Sequence, residues 1–146
     1  MKKLQYPIIV MILLMIITIS CTADSGSGQS VVKNINTTEL LELQKQGAII
    51  VDVRTPAEWE QTGVIPGAKK AMFFNQEMQP VEDQFLKQIN QITANADKPV
   101  VLYCHSGGRS TKAARLLAEK NVRGTIYNLD GGIQQWLSEG KATDKK

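Results

Sequence analysis

The chain has 146 residues and a mass of 16.1 kDa, which is enough for one domain but not for two separate hydrophobic cores. Hydrophobic residues make up 42% and charged residues 21%, which excludes a disordered or collagen-like chain, and two cysteines exclude a disulfide-dense scaffold. The formal net charge is +3, and setting aside Lys2 and Lys3 leaves 15 basic against 14 acidic residues, a charge of +1. Such a nearly neutral chain gives no argument for nucleic-acid binding, so we expect no nucleic-acid partner.

Residues 1–20 have the layout of a secretory signal peptide. Two lysines precede a run of about twelve residues, 8–19, in which only Thr18 is polar, and a small residue follows. A membrane span needs about 20 apolar residues, so this run is short for a segment that crosses the membrane. An uncleaved anchor, counted from Leu4 to Cys21, is the alternative.

The sequence Thr18-Ile19-Ser20-Cys21 resembles the end of a bacterial lipoprotein signal, although Leu is usual where Thr18 stands. The resemblance implies cleavage before Cys21 and a lipid on Cys21 that holds the protein at a membrane. Thr22 in place of Asp favours the outer membrane in a Gram-negative cell, facing the periplasm; in a Gram-positive cell the signal implies the outer face of the cell membrane. Ordinary cleavage that leaves Cys21 as a free thiol is the alternative. The small and polar residues 21–30 predict a flexible tether.

The pattern from residue 31 to residue 140 predicts one domain of alternating strands and helices. Val31-Val32 begin a short apolar segment, and β-branched and apolar runs predict strands at 48–53, 71–74, 99–103 and 125–129. Helical spacing and capping residues predict helices from 36 or 37 to 46, a short one from 56, and others at 81–92, 109–120 and about 132–139. This alternation implies right-handed crossovers and a mostly parallel sheet covered on both faces. Residues 141–146 form a polar tail.

Two polar clusters follow predicted strands, at the edge of a parallel sheet where ligands bind. Asp52 and Arg54 end one strand, and the other cluster is the loop Cys104-His105-Ser106-Gly107-Gly108-Arg109-Ser110. The two glycines allow a tight curl whose N–H groups point inward, and the N-terminus of the following helix also favours an anion. We expect this environment to stabilise the thiolate of Cys104, while the planar guanidinium of Arg109 and the hydroxyl of Ser110 add donors. The loop is therefore suited to bind an anion and attack it with sulfur.

Structural interpretations compete with this one. Cys104 could be an inert core cysteine, although packing does not explain the Gly-Gly-Arg-Ser sequence that follows it. His105 either assists a proton transfer or shapes the entrance. One histidine and one cysteine in the domain fall short of a metal-ligand set, so we expect no metal and no cofactor.

The roles of the first polar cluster are less specific. Asp52 either orients the loop or Arg109, or it caps the turn that follows it. Arg54 is expected to pair with Glu58, four residues on. Core or rim packing is expected for four aromatic side chains, Trp59, Phe73, Phe74 and Trp136. Asp130-Gly131-Gly132 is expected to be a turn into the last helix.

Four motifs in this order resemble the rhodanese homology domain. They are Asp52-Val53-Arg54-Thr55-Pro56-Ala57-Glu58-Trp59, Gly63-Val64-Ile65-Pro66-Gly67-Ala68, the loop from Cys104 to Ser110, and Asp130-Gly131-Gly132 with Trp136. The resemblance spans about 31–139 and implies a single α/β rhodanese-like domain with a central, mostly parallel five-stranded sheet and helices on both faces. It implies that Cys104 is the catalytic residue and carries a persulfide. It also implies that the substrate is bound by His105, Ser106, Gly107, Gly108, Arg109 and Ser110.

Two details refine the resemblance. Val64 stands where the family usually has His, and we expect a local adjustment there. Four residues separate Cys104 from Arg109. Related phosphatases and arsenate reductases have one more residue in this interval, which gives a wider loop, so the shorter loop favours sulfur transfer.

The sequence thus predicts an exported, lipid-anchored sulfurtransferase that moves sulfane sulfur from thiosulfate or a persulfide donor to cyanide or a thiol. Its partners would be small sulfur-containing anions, thiol acceptors and, through the lipid, a membrane. We expect a monomer. A non-catalytic sulfur carrier or partner-binding module of the same family is the alternative, and a phosphatase on this fold is a further one.

Overall fold

The computed structural model describes residues 31–94, 98–121 and 125–145. The strands are β1 (Val32–Ile35), β2 (Ile49–Asp52), β3 (Lys69–Lys70), β4 (Val100–Tyr103) and β5 (Ile126–Leu129). The helices are α1 (Thr37–Lys45), α2 (Pro56–Thr62), α3 (Glu82–Thr93), α4 (Gly108–Glu119) and α5 (Gly132–Ser138).

The strands form a parallel sheet in the order β1-β5-β4-β2-β3. This confirms the predicted single domain with a five-stranded sheet. The central strand β4 pairs with β2 on one side and β5 on the other, and Asp52 lies opposite Tyr103. Because the strands run parallel, the loops after β2, β4 and β5 all lie at one edge of the sheet.

Hydrophobic cores fill both faces of the sheet, as expected for buried parallel strands. Alternate side chains of β4 point to opposite faces: Val100 and Leu102 to one core, Val101 and Tyr103 to the other. Helices α3 and α4 cover the first face, and α1 and α5 cover the second. Cys104 continues the alternation and lies on the α3–α4 side.

The predicted capping residues begin two of the helices. Asn36 caps α1 and Thr55 caps α2, each through a reciprocal capping box with the glutamate three residues later, Glu39 and Glu58. Pro56 occupies the first turn of α2, where its missing N–H costs no helical hydrogen bond. Local chemistry therefore fixes where α2 starts, directly after the carboxyl end of β2.

The predicted strand at 71–74 is wrong. The pairing with β2 occurs two residues earlier, at Lys69–Lys70. Ala71 and Phe73 still donate backbone hydrogen bonds towards β2, but the chain then turns, and Phe74 forms an isolated bridge with Pro80. The apolar run reflects burial in a loop, because Phe73 packs edge-to-face on both Phe74 and Phe85.

Part of the predicted polar tail belongs to the domain. The backbones of Val64 and Asp144 exchange two hydrogen bonds of 3.0 and 2.9 Å, and Trp136 Nε1 donates to the carbonyl oxygen of Ala142 at 2.8 Å. Thr143 packs so closely on Gly63 that a Cβ there would lie 2.7 Å from its hydroxyl oxygen. Val64, which replaces the usual His, is buried where this segment crosses.

The membrane-related predictions fall on residues 1–30, outside the described residues. Within the part of the chain that the structure describes, no helix has the length and apolar character needed to cross a bilayer.

Candidate active site

An open cleft of about 1080 Å³ lies at the carboxyl edge of the sheet. One wall comes from Thr55 and the length of α2, through Glu58, Gln61 and Thr62, and a second comes from the loop that follows β3, with Phe74 and Met78. The loop after β4 and the first turns of α4 contribute His105, Ser106, Gly108, Arg109 and Lys112. The cleft therefore brings together two of the sequence motifs that lie far apart along the chain.

Cys104 is only 1% exposed and directly precedes His105 and Ser106, which line this cleft. Its Sγ accepts a hydrogen bond from the backbone N–H of Gly107 at 3.2 Å. Gly107 has φ 97°, in the left-handed region, which lets the chain curl back over the sulfur before α4 begins. A backbone N–H and the N-terminal end of a twelve-residue helix thus lie next to the thiol, an environment that favours negative charge.

The start of α5 binds the backbone of the cysteine loop, residues 104–110. The N–H of Ile133 donates to the carbonyl oxygen of Cys104 at 2.9 Å, and that of Gln134 to the carbonyl oxygen of His105 at 3.0 Å. Gly132 has φ 56°, and a Cβ there would lie 2.6 Å from the carbonyl oxygen of His105 and closer still to that of Cys104. Only glycine permits this approach, so the Asp-Gly-Gly turn, confirmed by the structure, also fixes the backbone of the cysteine loop.

Ser110 lies behind the loop. Its side chain is buried, and its hydroxyl donates to the carbonyl oxygen of Gly107 at 3.0 Å, as the hydroxyl of Thr111 does at 2.8 Å. These bonds hold the left-handed turn in place. In this arrangement the Ser110 hydroxyl stabilises the loop and does not face the cleft as the sequence suggested, whereas His105 and Ser106 are exposed at the cleft.

Arg109 forms a bidentate ion pair with Glu58 of α2. Its Nη1 lies 2.8 Å from Oε2 of Glu58, and its Nη2 lies 2.5 Å from Oε1. The same carboxylate accepts from the backbone N–H and the hydroxyl of Thr55. Partial burial alone would raise the pKa of Glu58, but the hydrogen bonds from Arg109 and Thr55 lower it to about 2.

Arg109 is also close to the thiol. The hydrogen bonds from Arg109 to Glu58 raise the pKa of Arg109 above its ordinary value against the opposing effect of burial, and the charge and hydrogen bond of Cys104 add to the increase. The guanidinium therefore stays charged between a fixed carboxylate and the sulfur. Glu58 is the site residue that the sequence interpretation assigned to the wrong partner. The signal in the sequence was the capping box of Thr55 and Glu58, because it starts α2 directly after β2 and so places Glu58 at the carboxyl edge of the sheet.

The expected Arg54–Glu58 side-chain pair is wrong, because Arg54 pairs with Asp52. Arg54 Nε lies 3.0 Å from both Asp52 oxygens and its Nη2 lies 2.7 Å from Oδ2. The other guanidinium hydrogens bond to the Thr62 hydroxyl and the Gly63 carbonyl oxygen. Arg54 reaches Glu58 only through the backbone carbonyl oxygen, at 3.4 Å. This buried arginine ties the end of β2 to the far end of α2.

Asp52 caps the turn after β2 and does not bind Arg109. Its Oδ1 accepts from the backbone N–H of Arg54 at 3.0 Å. Tyr103 closes the cluster, because its hydroxyl accepts from the N–H of Ile65 at 2.9 Å and its ring lies 5.9 Å from the Arg54 guanidinium carbon. Burial, together with the nearby Asp52, raises the pKa of Tyr103 strongly. Of the two sequence interpretations of Asp52, the geometry favours the structural one.

The expected core or rim packing of the aromatic residues is confirmed: Phe73, Phe74 and Trp136 are buried, and Trp59 is half-buried. Among the described residues, no group of three or more His, Cys, Asp and Glu side chains is arranged to hold a metal ion.

Comparison with known proteins agrees with the geometry. A family model described as the rhodanese-like domain matches residues 36–139. A sulfurtransferase of Allochromatium vinosum is 35% identical over 95 residues, covering 65% of this chain and 77% of that protein. A thiosulfate sulfurtransferase GlpE of Pseudoalteromonas translucida is 30% identical over 105 residues, covering 71% of this chain and 88% of that protein.

Solved structures give the same fold. A protein of unknown function from Rhodopseudomonas palustris, described as a possible tyrosine phosphatase, is 26% identical with a TM-score of 0.59. The match covers 77% of this chain and 85% of that one. The family match covers β2 to β5, the residues that line the cleft and the cysteine loop, and the chain belongs to the rhodanese-like domain family.

Proposed function

We propose that the protein is a sulfurtransferase that carries sulfane sulfur on Cys104, with thiosulfate or a persulfide as donor. The observation that supports this most strongly is the geometry at the thiol. Cys104 Sγ accepts a backbone hydrogen bond from Gly107, at the N-terminus of α4 and beside the charged Arg109. A persulfide formed there would place its outer, negatively charged sulfur among the same donors.

The first step transfers sulfur onto the enzyme. The Cys104 thiolate attacks the outer sulfur of thiosulfate, and an S–S bond forms between the two sulfur atoms. The bond between the outer sulfur and the sulfonate sulfur breaks, and its electron pair leaves with sulfite. The enzyme then holds a persulfide anion, so no oxidant, reductant or cofactor is needed.

The second step regenerates the thiolate. A nucleophile such as cyanide or a thiolate attacks the outer persulfide sulfur, and the electron pair of the S–S bond returns to Cys104. With cyanide the product is thiocyanate. Donor and acceptor use the same site in turn, so the kinetics are ping-pong.

Loop length supports sulfur transfer over phosphoryl transfer. Only four residues separate Cys104 from Arg109, and the Gly107 N–H already lies 3.2 Å from the sulfur. One backbone donor is therefore close to the thiol, where it suits a single terminal sulfur better than the three oxygens of a phosphoryl group. Because one neighbour in fold is described as a possible tyrosine phosphatase, the test includes that activity.

Steady-state kinetics with thiosulfate and cyanide test the proposal. The unchanged protein should form thiocyanate, and Cys104→Ser should reduce the rate at least a thousandfold while keeping the thermal unfolding transition. Lys33→Gln is the control, because Lys33 is exposed on the edge strand β1 and does not line the cleft. Hydrolysis of an aryl phosphate without thiocyanate formation would replace the proposal with a phosphatase. No turnover of either substrate would favour the binding module.

We further propose that the protein is exported and held at a membrane by a lipid on Cys21, and that the domain acts as a monomer. The support for export is the sequence of residues 1–21, with its two lysines, its apolar run and Ser20-Cys21. Expression in bacteria should yield a mature chain that begins at Cys21 and partitions with membranes, and Cys21→Ala should abolish the lipid. A mature chain with a different first residue and no lipid would refute the lipid anchor.

A further inference from the structure

Among the described residues, three basic side chains border the cleft: Arg54, Arg109 and Lys112. Two of these charges are already compensated. Arg54 is buried and paired with Asp52, and Arg109 is paired with Glu58 through two hydrogen bonds. A dianionic donor that enters the cleft therefore meets two locally neutral pairs and one remaining cation, Lys112.

Lys112 has no such partner in the described part of the chain. The contact recorded for its Nζ is with the face of Phe74, 5.6 Å from the ring centroid. Glu82 and Glu119 border a smaller neighbouring cleft that also includes Lys112, and neither lies within ion-pair distance of it. Lys112 is exposed, so its side chain is accessible to a ligand.

The position of Lys112 matches a ligand bound over the thiol. It lies four residues after Gly108 on α4, so both residues project from the same face of the helix. Gly108 has no side chain, and a Cβ there would meet nothing within 4 Å, which leaves open space between Lys112 and the cysteine loop. The face of Phe74, on the opposite wall, keeps the lysine side chain directed across the cleft.

We propose that Lys112 is the residue that selects donors carrying an anionic group next to the sulfane sulfur, such as the sulfonate of thiosulfate. This inference rests on the proposed sulfur transfer at Cys104. Arg109 is committed to Glu58 and acts at the sulfur end. Lys112 binds the distal anionic end, for which a compact point charge with three donors is suitable whatever the rotation of the sulfonate.

The experiment measures the rate at which one sulfur atom is added to the protein, by mass spectrometry, with two donors. One donor is thiosulfate, and the other is an alkyl hydropersulfide that carries no other ionisable group. Lys112→Gln should lower the second-order rate constant for thiosulfate roughly fivefold and leave that for the hydropersulfide within about twofold. Lys112→Arg should restore most of the thiosulfate rate, since it keeps the charge.

The control and the salt dependence complete the test. Lys33→Gln removes the same charge from the edge strand β1 and should leave both donors unaffected. Raising the salt concentration should slow the thiosulfate reaction of the unchanged protein more than that of Lys112→Gln. If Lys112→Gln lowered the rate constants for both donors equally, or lowered neither, the proposed role of Lys112 would be refuted while sulfur transfer at Cys104 would stand. Absence of added sulfur on the unchanged protein with either donor would refute the proposed function and this inference with it.

Discussion

Two arginine–carboxylate pairs lie at the same edge of the sheet and differ mainly in their burial. The side chains of Arg54 and Asp52 are 1% and 0% exposed, whereas those of Arg109 and Glu58 are 17% and 26% exposed. Both pairs are bidentate, and both involve residues that lie next to α2 or within it. The buried Arg54–Asp52 pair holds β2 and α2 together inside the domain. The Arg109–Glu58 pair borders the cleft and connects α2 to the cysteine loop.

The comparison shows how one short helix can serve both purposes. The Asp52–Arg54 pair holds the far end of α2 through Thr62 and Gly63. At the near end, Glu58 caps the helix and binds Arg109. We expect removal of a carboxylate from the buried pair to cost stability, and removal from the cleft pair to change the kinetics.

Asp52→Asn should have the largest effect. It leaves the Arg54 guanidinium buried without a countercharge, and breaking a buried pair in this way costs about 3–5 kcal/mol. The measurement is the free energy of unfolding from denaturant titration. A decrease in the free energy of unfolding of less than about 1 kcal/mol would show that the Arg54–Asp52 pair does not stabilise the fold more than the Arg109–Glu58 pair does.

Gly132→Ala tests whether the cysteine loop depends on α5 as well as on the Arg109–Glu58 pair. A Cβ would press on the carbonyl oxygens of Cys104 and His105, so we expect a further loss of about 1–3 kcal/mol beyond the matched variant Gly140→Ala, together with a strong loss of sulfur transfer. Gly140 also has a positive φ, 71°, but a Cβ there would meet nothing within 4 Å. Equal stability and activity in the two variants would mean that α5 does not position the loop.

Glu58→Gln should cost only about 1 kcal/mol in stability, because the pair is partly solvated. The substitution should change KM and kcat separately. The KM for thiosulfate should fall roughly threefold, since Arg109 becomes an uncompensated cation, while kcat should fall roughly tenfold because Arg109 loses its fixed position near the sulfur. Unchanged kcat and KM would show that the second pair has no role in the site.

The smallest expected effect concerns acid stability. The pKa of Glu58 is lowered from an ordinary 4.5 to about 2 in the folded protein. The stability that the ionised Glu58 carboxylate contributes to the folded protein is therefore complete above pH 4.5, and it is lost as the pH falls towards 2. Over this interval the free energy of unfolding should decrease by up to about 1 kcal/mol more for the unchanged protein than for Glu58→Gln. Parallel pH profiles would contradict the ion pair.

The sequence was most informative where local chemistry determines the structure. Thr55 starts α2 as its capping box predicts, Asn36 is the one of the two predicted caps that starts α1, and the β-branched run at 49–52 forms β2. It was least informative where burial came from loop packing. The apolar residues from Ala71 to Phe74 resemble a strand, but their hydrophobicity serves the core next to Phe85.

The candidate site follows the same division. The cysteine loop could be recognised because the glycines and the adjacent helix start are neighbours along the chain. The partners of the two arginines could not, since Arg109 finds Glu58 across 51 residues. Arg54 pairs with Asp52, because both side chains are buried together at the end of β2. The closeness of Gly132 to Cys104 likewise depends on β4 and β5 lying side by side.

The most direct test of the central claim is the mass of the domain after brief treatment with thiosulfate and removal of excess reagent. The account predicts one added sulfur atom, located on the peptide that contains Cys104 and removed by cyanide with release of thiocyanate. Cys104→Ser should gain no sulfur. A folded domain that gains no sulfur from thiosulfate or from a persulfide donor, or that gains it equally when Cys104 is replaced by serine, would contradict the proposed chemistry.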